Sequence, residues 1–124
     1  MKEFLILLSM IFCHIVDDYY LQGILASMKQ KAWWQKQESY CDKYKYDYII
    51  ALIMHSFSWS FMIMIPFIFV GASQYVINIS IVINTIIHAI VDDLKANKKR
   101  INLMQDQAIH ISQIIFTFIV GLAF

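Results

Sequence analysis

Four apolar stretches, each close to the length of a membrane-crossing helix, leave this chain few folds to choose from. They run roughly over 4–25, 48–70, 75–94 and 106–124, and about 20 apolar residues rising 1.5 Å each cross the hydrocarbon core. Sixty per cent of the residues are apolar and fifteen per cent charged, which is far from the balance of soluble domains. A water-soluble chain of this size has no interior large enough to hide that surface. The expected fold is all-α: one domain over 1–124, an integral membrane bundle of four transmembrane helices. The first stretch is the most exacting. Its uninterrupted apolar run ends at Val16, so it spans only if Asp17 and Asp18 are shielded by protein. The same stretch has the look of a signal peptide, but no small-residue cleavage site follows and His14 falls inside it, so it reads as a retained helix. Pro66 lies near the end of the second stretch, where a bundle tolerates a kink.

The connections carry the topology. The turn at Gly71-Ala72-Ser73-Gln74 is short and uncharged. The loop from Ala26 to Asp47 holds Lys29, Lys31, Lys36, Lys43 and Lys45, and the loop from Lys95 to Gln105 holds Lys95, Lys98, Lys99 and Arg100. Of the ten basic residues only Lys2 lies on the opposite side of such a bundle. The positive-inside rule then places the two basic loops in the cytoplasm and both termini outside. Trp33, Trp34, Tyr40, Tyr44, Tyr46 and Tyr48 alternate with the lysines of the first loop. That mixture fits a segment at headgroup depth, against the lipid bilayer, better than a nucleic-acid surface; a net charge of +1 gives no reason to expect nucleic acid either. Cys13 and Cys41 have no CxxC spacing and read as reduced and structural.

Polar residues inside the apolar stretches recur at helical spacing. His14, Asp18 and Gln22 share one face of the first, Ser80, Asn84, His88, Asp92 and Lys95 one face of the third, and Asp106, His110, Gln113 and Thr117 one face of the fourth. The second carries His55. Asp17 and Asp93 fall off these stripes. Each histidine sits in a different segment, in the middle or cytoplasmic half, so a bundle would bring all four together. An Asp at the centre of a spanning helix costs roughly 2.5–3.5 kcal/mol, so these side chains must face one another, water or an ion. Simple hydrogen-bonded pairing between helices is the plainer alternative.

Imidazole and carboxylate in a partly dry pocket suit a divalent metal, zinc first, then manganese or iron. Such an ion acidifies its water toward neutrality, which is the chemistry of ester, amide or phosphate hydrolysis. The expected metal ligands are His14, Asp18, His88 and His110, with His55 a further ligand or support. Asp92 and Asp106 are the candidate catalytic carboxylates, and Gln22, Gln107 and Lys95 would position substrate or water near the mouth. Without metal, the same residues would suit proton or cation movement.

Three motifs resemble those of a family of small bacterial and phage membrane proteins known only as domain of unknown function 3307. The run His14-Ile-Val-Asp17-Asp18-Tyr19-Tyr20-Leu21-Gln22 is similar to its His-x-x-x-Asp-Phe-x-Leu-Gln signature, with Tyr19 in place of Phe. His88-Ala-Ile-Val-Asp92 with Lys95, and Asp106-Gln107-Ala-Ile-His110, resemble its second and third signatures, and His55 falls where the family has a His. The resemblance implies a multi-pass protein of the bacterial inner membrane, often phage-encoded, and implies no activity. It does not extend to the Lys/Tyr-rich first loop.

The first expectation is therefore a metal-dependent hydrolase of a membrane-proximal substrate. The second is a proton, cation or small-solute transport subunit using the same stripes, for which four helices are few and a homo-oligomer is expected. The third is a phage-encoded effector that binds a host membrane protein, with the stripes purely structural.

Overall fold

The computed structural model describes residues 1–124. It is all-α, with no strands. Helix α1 (Lys2–Ile15) continues into a π-helical segment, Val16–Leu21. Two short helices follow, α2 (Leu25–Met28) and α3 (Lys31–Gln35), then a 3₁₀ turn at Asp42–Tyr44 and three long helices: α4 (Asp47–Phe69), α5 (Gln74–Ala96) and α6 (Leu103–Ala123). Four helical runs are long and apolar enough to cross a membrane: Lys2–Leu21, Asp42–Phe69, Gln74–Ala96 and Leu103–Ala123.

The long helices close into a ring in which α4 packs on α1 and α5, and α6 packs on α5 and α1. The two charged loops meet at one end of this ring. Asn97, just past α5, donates to the Lys29 carbonyl and accepts from the Lys31 amide. Helix α6 starts at a capping box in which Asn102 accepts from the Gln105 amide and the Gln105 side chain accepts from the Asn102 amide, satisfying two of the amides a helix start leaves orphaned.

The first apolar stretch is shorter as a helix than its hydropathy implied. It stops at Leu21 instead of 25, because Gly23 turns the chain through a left-handed conformation (φ +51°) that costs glycine little. Helix α2 then leads back over the end of the bundle, and this reversal delivers Lys29 to the interior.

Burial is the reverse of a soluble protein. Fourteen of the 25 buried residues are polar or charged, whereas large apolar side chains such as Phe57, Phe61, Val82, Ile86, Phe116 and Ile119 point outward. In water that surface would drive aggregation; in lipid it is the solvated face. At the end away from the charged loops, Met10, Ile63, Met64, Phe67, Ile77 and Ile114 form an apolar layer. There α6 comes close to α4, since a Cβ on Gly121 would run into the Phe67 ring.

Candidate metal centre

The i, i+4 spacing of His14 and Asp18, His88 and Asp92, and Asp106 and His110 aims each pair inward from its helix. Helix α4 adds His55 between them. All four imidazoles are buried. Trp59, His88 and His110 form a stack, with ring centroids 4.2 Å apart for the first pair and 4.1 Å for the second. The stack fixes the imidazole planes before any ligand arrives.

Five side chains contribute to two overlapping triads, Asp18–His55–His88 and His88–Asp92–His110, within each of which the ligand atoms lie within 4.8 Å of one another. His55 Nε2 is 3.2 Å from His88 Nε2, 3.3 Å from Asp18 Oδ1 and 3.4 Å from Asp92 Oδ2. His110 Nε2 is 3.6 Å from Asp92 Oδ1 and 3.3 Å from Asp106 Oδ1. Bonds of about 2.0–2.2 Å to a tetrahedral zinc imply ligand–ligand edges of about 3.3–3.6 Å; within the two triads the His55–His88 pair lies at 3.2 Å and the His88–Asp92 pair at 3.9 Å. At 3.3 Å, His110 Nε2 and Asp106 Oδ1 are near enough to share a hydrogen bond, while Nδ1 of His88 and Nδ1 of His110 are buried without a partner. The ligand spacing is near that of a metal site, and this cluster could hold an ion.

His14 stands beside the triads and belongs to neither. Its Nδ1 accepts from Trp59 Nε1 at 2.7 Å, so its proton lies on Nε2, which donates to Gln107 Oε1 at 3.1 Å. The Gln107 amide donates in turn to Asp106 Oδ2 at 3.1 Å. Both ring nitrogens of His14 are thus hydrogen-bonded within the protein. Asp106 also accepts from Lys95 Nζ at 2.6 Å.

Three residues that the stripes did not mark belong to the site. Asp17 is as buried as His14, because i→i+5 bonding in the π-helical segment widens the turn and swings it inward with Asp18. It accepts from Ser58 Oγ at 2.6 Å and lies 3.8 Å from His55 Nδ1. Asp93, by contrast, lies half-buried away from the cluster, paired with Lys98 at 3.0 Å and accepting from Asn97 Nδ2 at 2.9 Å. Lys29 belongs to the first basic loop by sequence, yet it is buried and donates to Asp92 Oδ2 at 2.5 Å. Trp59 is wholly buried; a lone Trp in an apolar helix carries no sequence signal that it faces inward.

A cavity of about 370 Å³ opens onto the cluster from the charged end, with Asp18 and Asp92 deep in it and Lys29, Lys95, Gln22 and Gln107 around it. Gln22 turns its amide back to the Asp18 carbonyl at 2.7 Å. On the other side of the histidines, Asn84, Gln113 and Thr117 form a closed hydrogen-bonded group, with Gln113 Nε2 donating to Asn84 Oδ1 at 2.9 Å and Asn84 Nδ2 to Thr117 Oγ1 at 2.9 Å. Compared with known proteins, the chain matches no family model, no curated sequence and no solved structure, so a functional reading rests on this geometry.

Proposed function

We propose that this chain is a multi-pass protein of the bacterial inner membrane that binds one divalent metal ion, zinc first, and hydrolyses a membrane-proximal ester, amide or phosphate ester. The observation that carries the reading is the clustering of Asp18, His55, His88, Asp92 and His110 in two buried triads that share His88. Charge also favours a cation there: four inward carboxylates (Asp17, Asp18, Asp92, Asp106) face two ammonium groups (Lys29, Lys95), and unpaired buried charge is costly.

A metal bound there would supply a Lewis acid and an acidified water. Asp106 lies outside both triads and is held by Lys95 and Gln107, so it is the carboxylate placed to take up a proton. His14 orients Gln107, and Trp59 orients His14. The cavity opens at the end carrying the basic loops, which the positive-inside rule assigns to the cytoplasm. The resemblance to domain of unknown function 3307 rests on the same residues and is proposed alongside, without an activity.

The test is metal content by mass spectrometry on protein purified in mild detergent, beside His88→Ala and His14→Ala. Near-stoichiometric zinc is expected in the wild type, with loss in His88→Ala, which breaks both triads, and retention in His14→Ala. Undiminished metal in a folded His88→Ala protein would end the assignment.

A proton or cation path is the second reading, favoured by the Asn84–Gln113–Thr117 group beyond the histidines. The apolar cluster of Met10, Ile63, Met64 and Phe67 in the same interior weighs against it.

A further inference from the structure

The polar cavity has an apolar neighbour. On the seam between α1 and α6, an open groove of about 510 Å³ is walled by Ile11, Ile15, Tyr20 and Ile111. It shares Tyr19 and Gln107 with the polar cavity, and its floor is His14. Tyr20 and Ile15 are exposed on a face that lies in the bilayer. The groove and cavity thus adjoin across Tyr19 and Gln107, the one apolar along the helices and the other polar at the charged end.

The geometry points to a lateral portal: the α1–α6 groove takes an acyl chain of a phosphate-bearing lipid whose headgroup lies in the Lys29/Lys95 cavity against the metal centre. This rests on the reading of the His/Asp cluster as a metal site and names the class of its substrate. The occupant follows from three features. In a bilayer, the molecules that reach an open apolar seam are lipid chains. At the polar end each ammonium has three donors and uses one, Lys29 on Asp92 and Lys95 on Asp106, so four N–H groups remain for phosphate oxygens. Both lysines line the polar cavity itself, which sets two cationic groups around an anionic headgroup. Between groove and cavity stands Gln107, bonded to His14 on the groove side and to Asp106 on the site side, so a seated chain would touch the residue that positions both.

The test uses zinc-loaded full-length protein in nanodiscs containing phosphatidic acid with a photoactivatable diazirine in one acyl chain. Labelling is expected on the 11–20 and 107–111 segments and should survive a large excess of phosphatidylcholine. Ile15→Trp, which fills the groove, should weaken phosphatidic acid binding by about tenfold, the equivalent of removing roughly two buried CH₂ groups. Label spread evenly over all four helices or unchanged binding in Ile15→Trp would each overturn the portal. Zinc measured on the same samples separates the two readings. Groove-restricted labelling without zinc would remove the metal and leave the portal standing, whereas normal zinc with even labelling would do the opposite. Because the labelling is done on the wild type, a misfolded variant does not blunt the result.

Discussion

Lys29 and Asp92 are 63 positions apart and meet inside the bundle at 2.5 Å, with both side chains almost wholly buried. The pair joins the loop after α1 to the ligand-bearing end of α5, so a basic residue that belongs by sequence to the membrane surface is part of the site. Lys29→Met leaves Asp92 charged and buried, and breaking such a pair costs about 3–5 kcal/mol. The thermal midpoint in detergent should fall sharply with chelator present and recover in zinc, because the ion then compensates Asp92. An equal fall in both conditions would show that Asp92 is no ligand.

Asp17 and Asp93 are the off-stripe members of their pairs, and they should behave oppositely. Asp17→Asn disturbs a buried carboxylate bonded to Ser58 and is expected to cost about 1–3 kcal/mol. Asp93→Asn removes a pair with the exposed Lys98, worth about 0–1 kcal/mol. Denaturation of the two variants side by side checks this, and equal costs would mean that the π-helical segment does not turn Asp17 inward.

Adding zinc at about one hundred times its Kd should stabilise the wild type by about 2.7 kcal/mol. The gain should vanish in His88→Ala and persist in His14→Ala. A thermal-shift titration reads all three proteins, and a zinc response in His88→Ala would contradict the shared-histidine geometry.

The apolar layer makes a prediction about passage. Proteoliposomes should show no proton or cation leak above empty vesicles, whether or not zinc is present. A leak abolished by His88→Ala would transfer the same residues to the transport reading.

At the opposite end, Gly121 lies under the Phe67 ring, and Gly121→Leu should cost about 1–3 kcal/mol through overpacking. Phe67→Leu in the same chain should restore part of it. Strictly additive losses in the double variant would show that the two residues are not in contact.

The spanning helices were legible because membrane length and helical period are local properties of sequence. The pairs His14/Asp18, His88/Asp92 and Asp106/His110 were legible for the same reason, since residues four apart share a face whatever surrounds them. Asp17 was not, because its direction depends on a change of hydrogen-bond register that no spacing rule contains. Lys29 was hidden by the charge rule itself: a lysine in a basic loop counts as a surface charge until the turn at Gly23 folds it back. Assigning His14 as a ligand assumed that its nitrogens were free, and only the folded chain brings Trp59 and Gln107 to occupy them.

The ties that hold His14 of α1 and Asp17 of the π-helical segment reach a long way down the chain. Ser58 lies 41 positions beyond Asp17, and Gln107 lies 93 beyond His14. During synthesis α1 therefore emerges well before the groups that neutralise it, and alone it is a poor anchor, with two aspartates near its end. Helix α4 brings the first partners, the reversal at Gly23 brings a lysine whose own partner is still unmade, and α6 completes the set. The polar centre that α1 helps to build thus takes its partners from helices far along the chain.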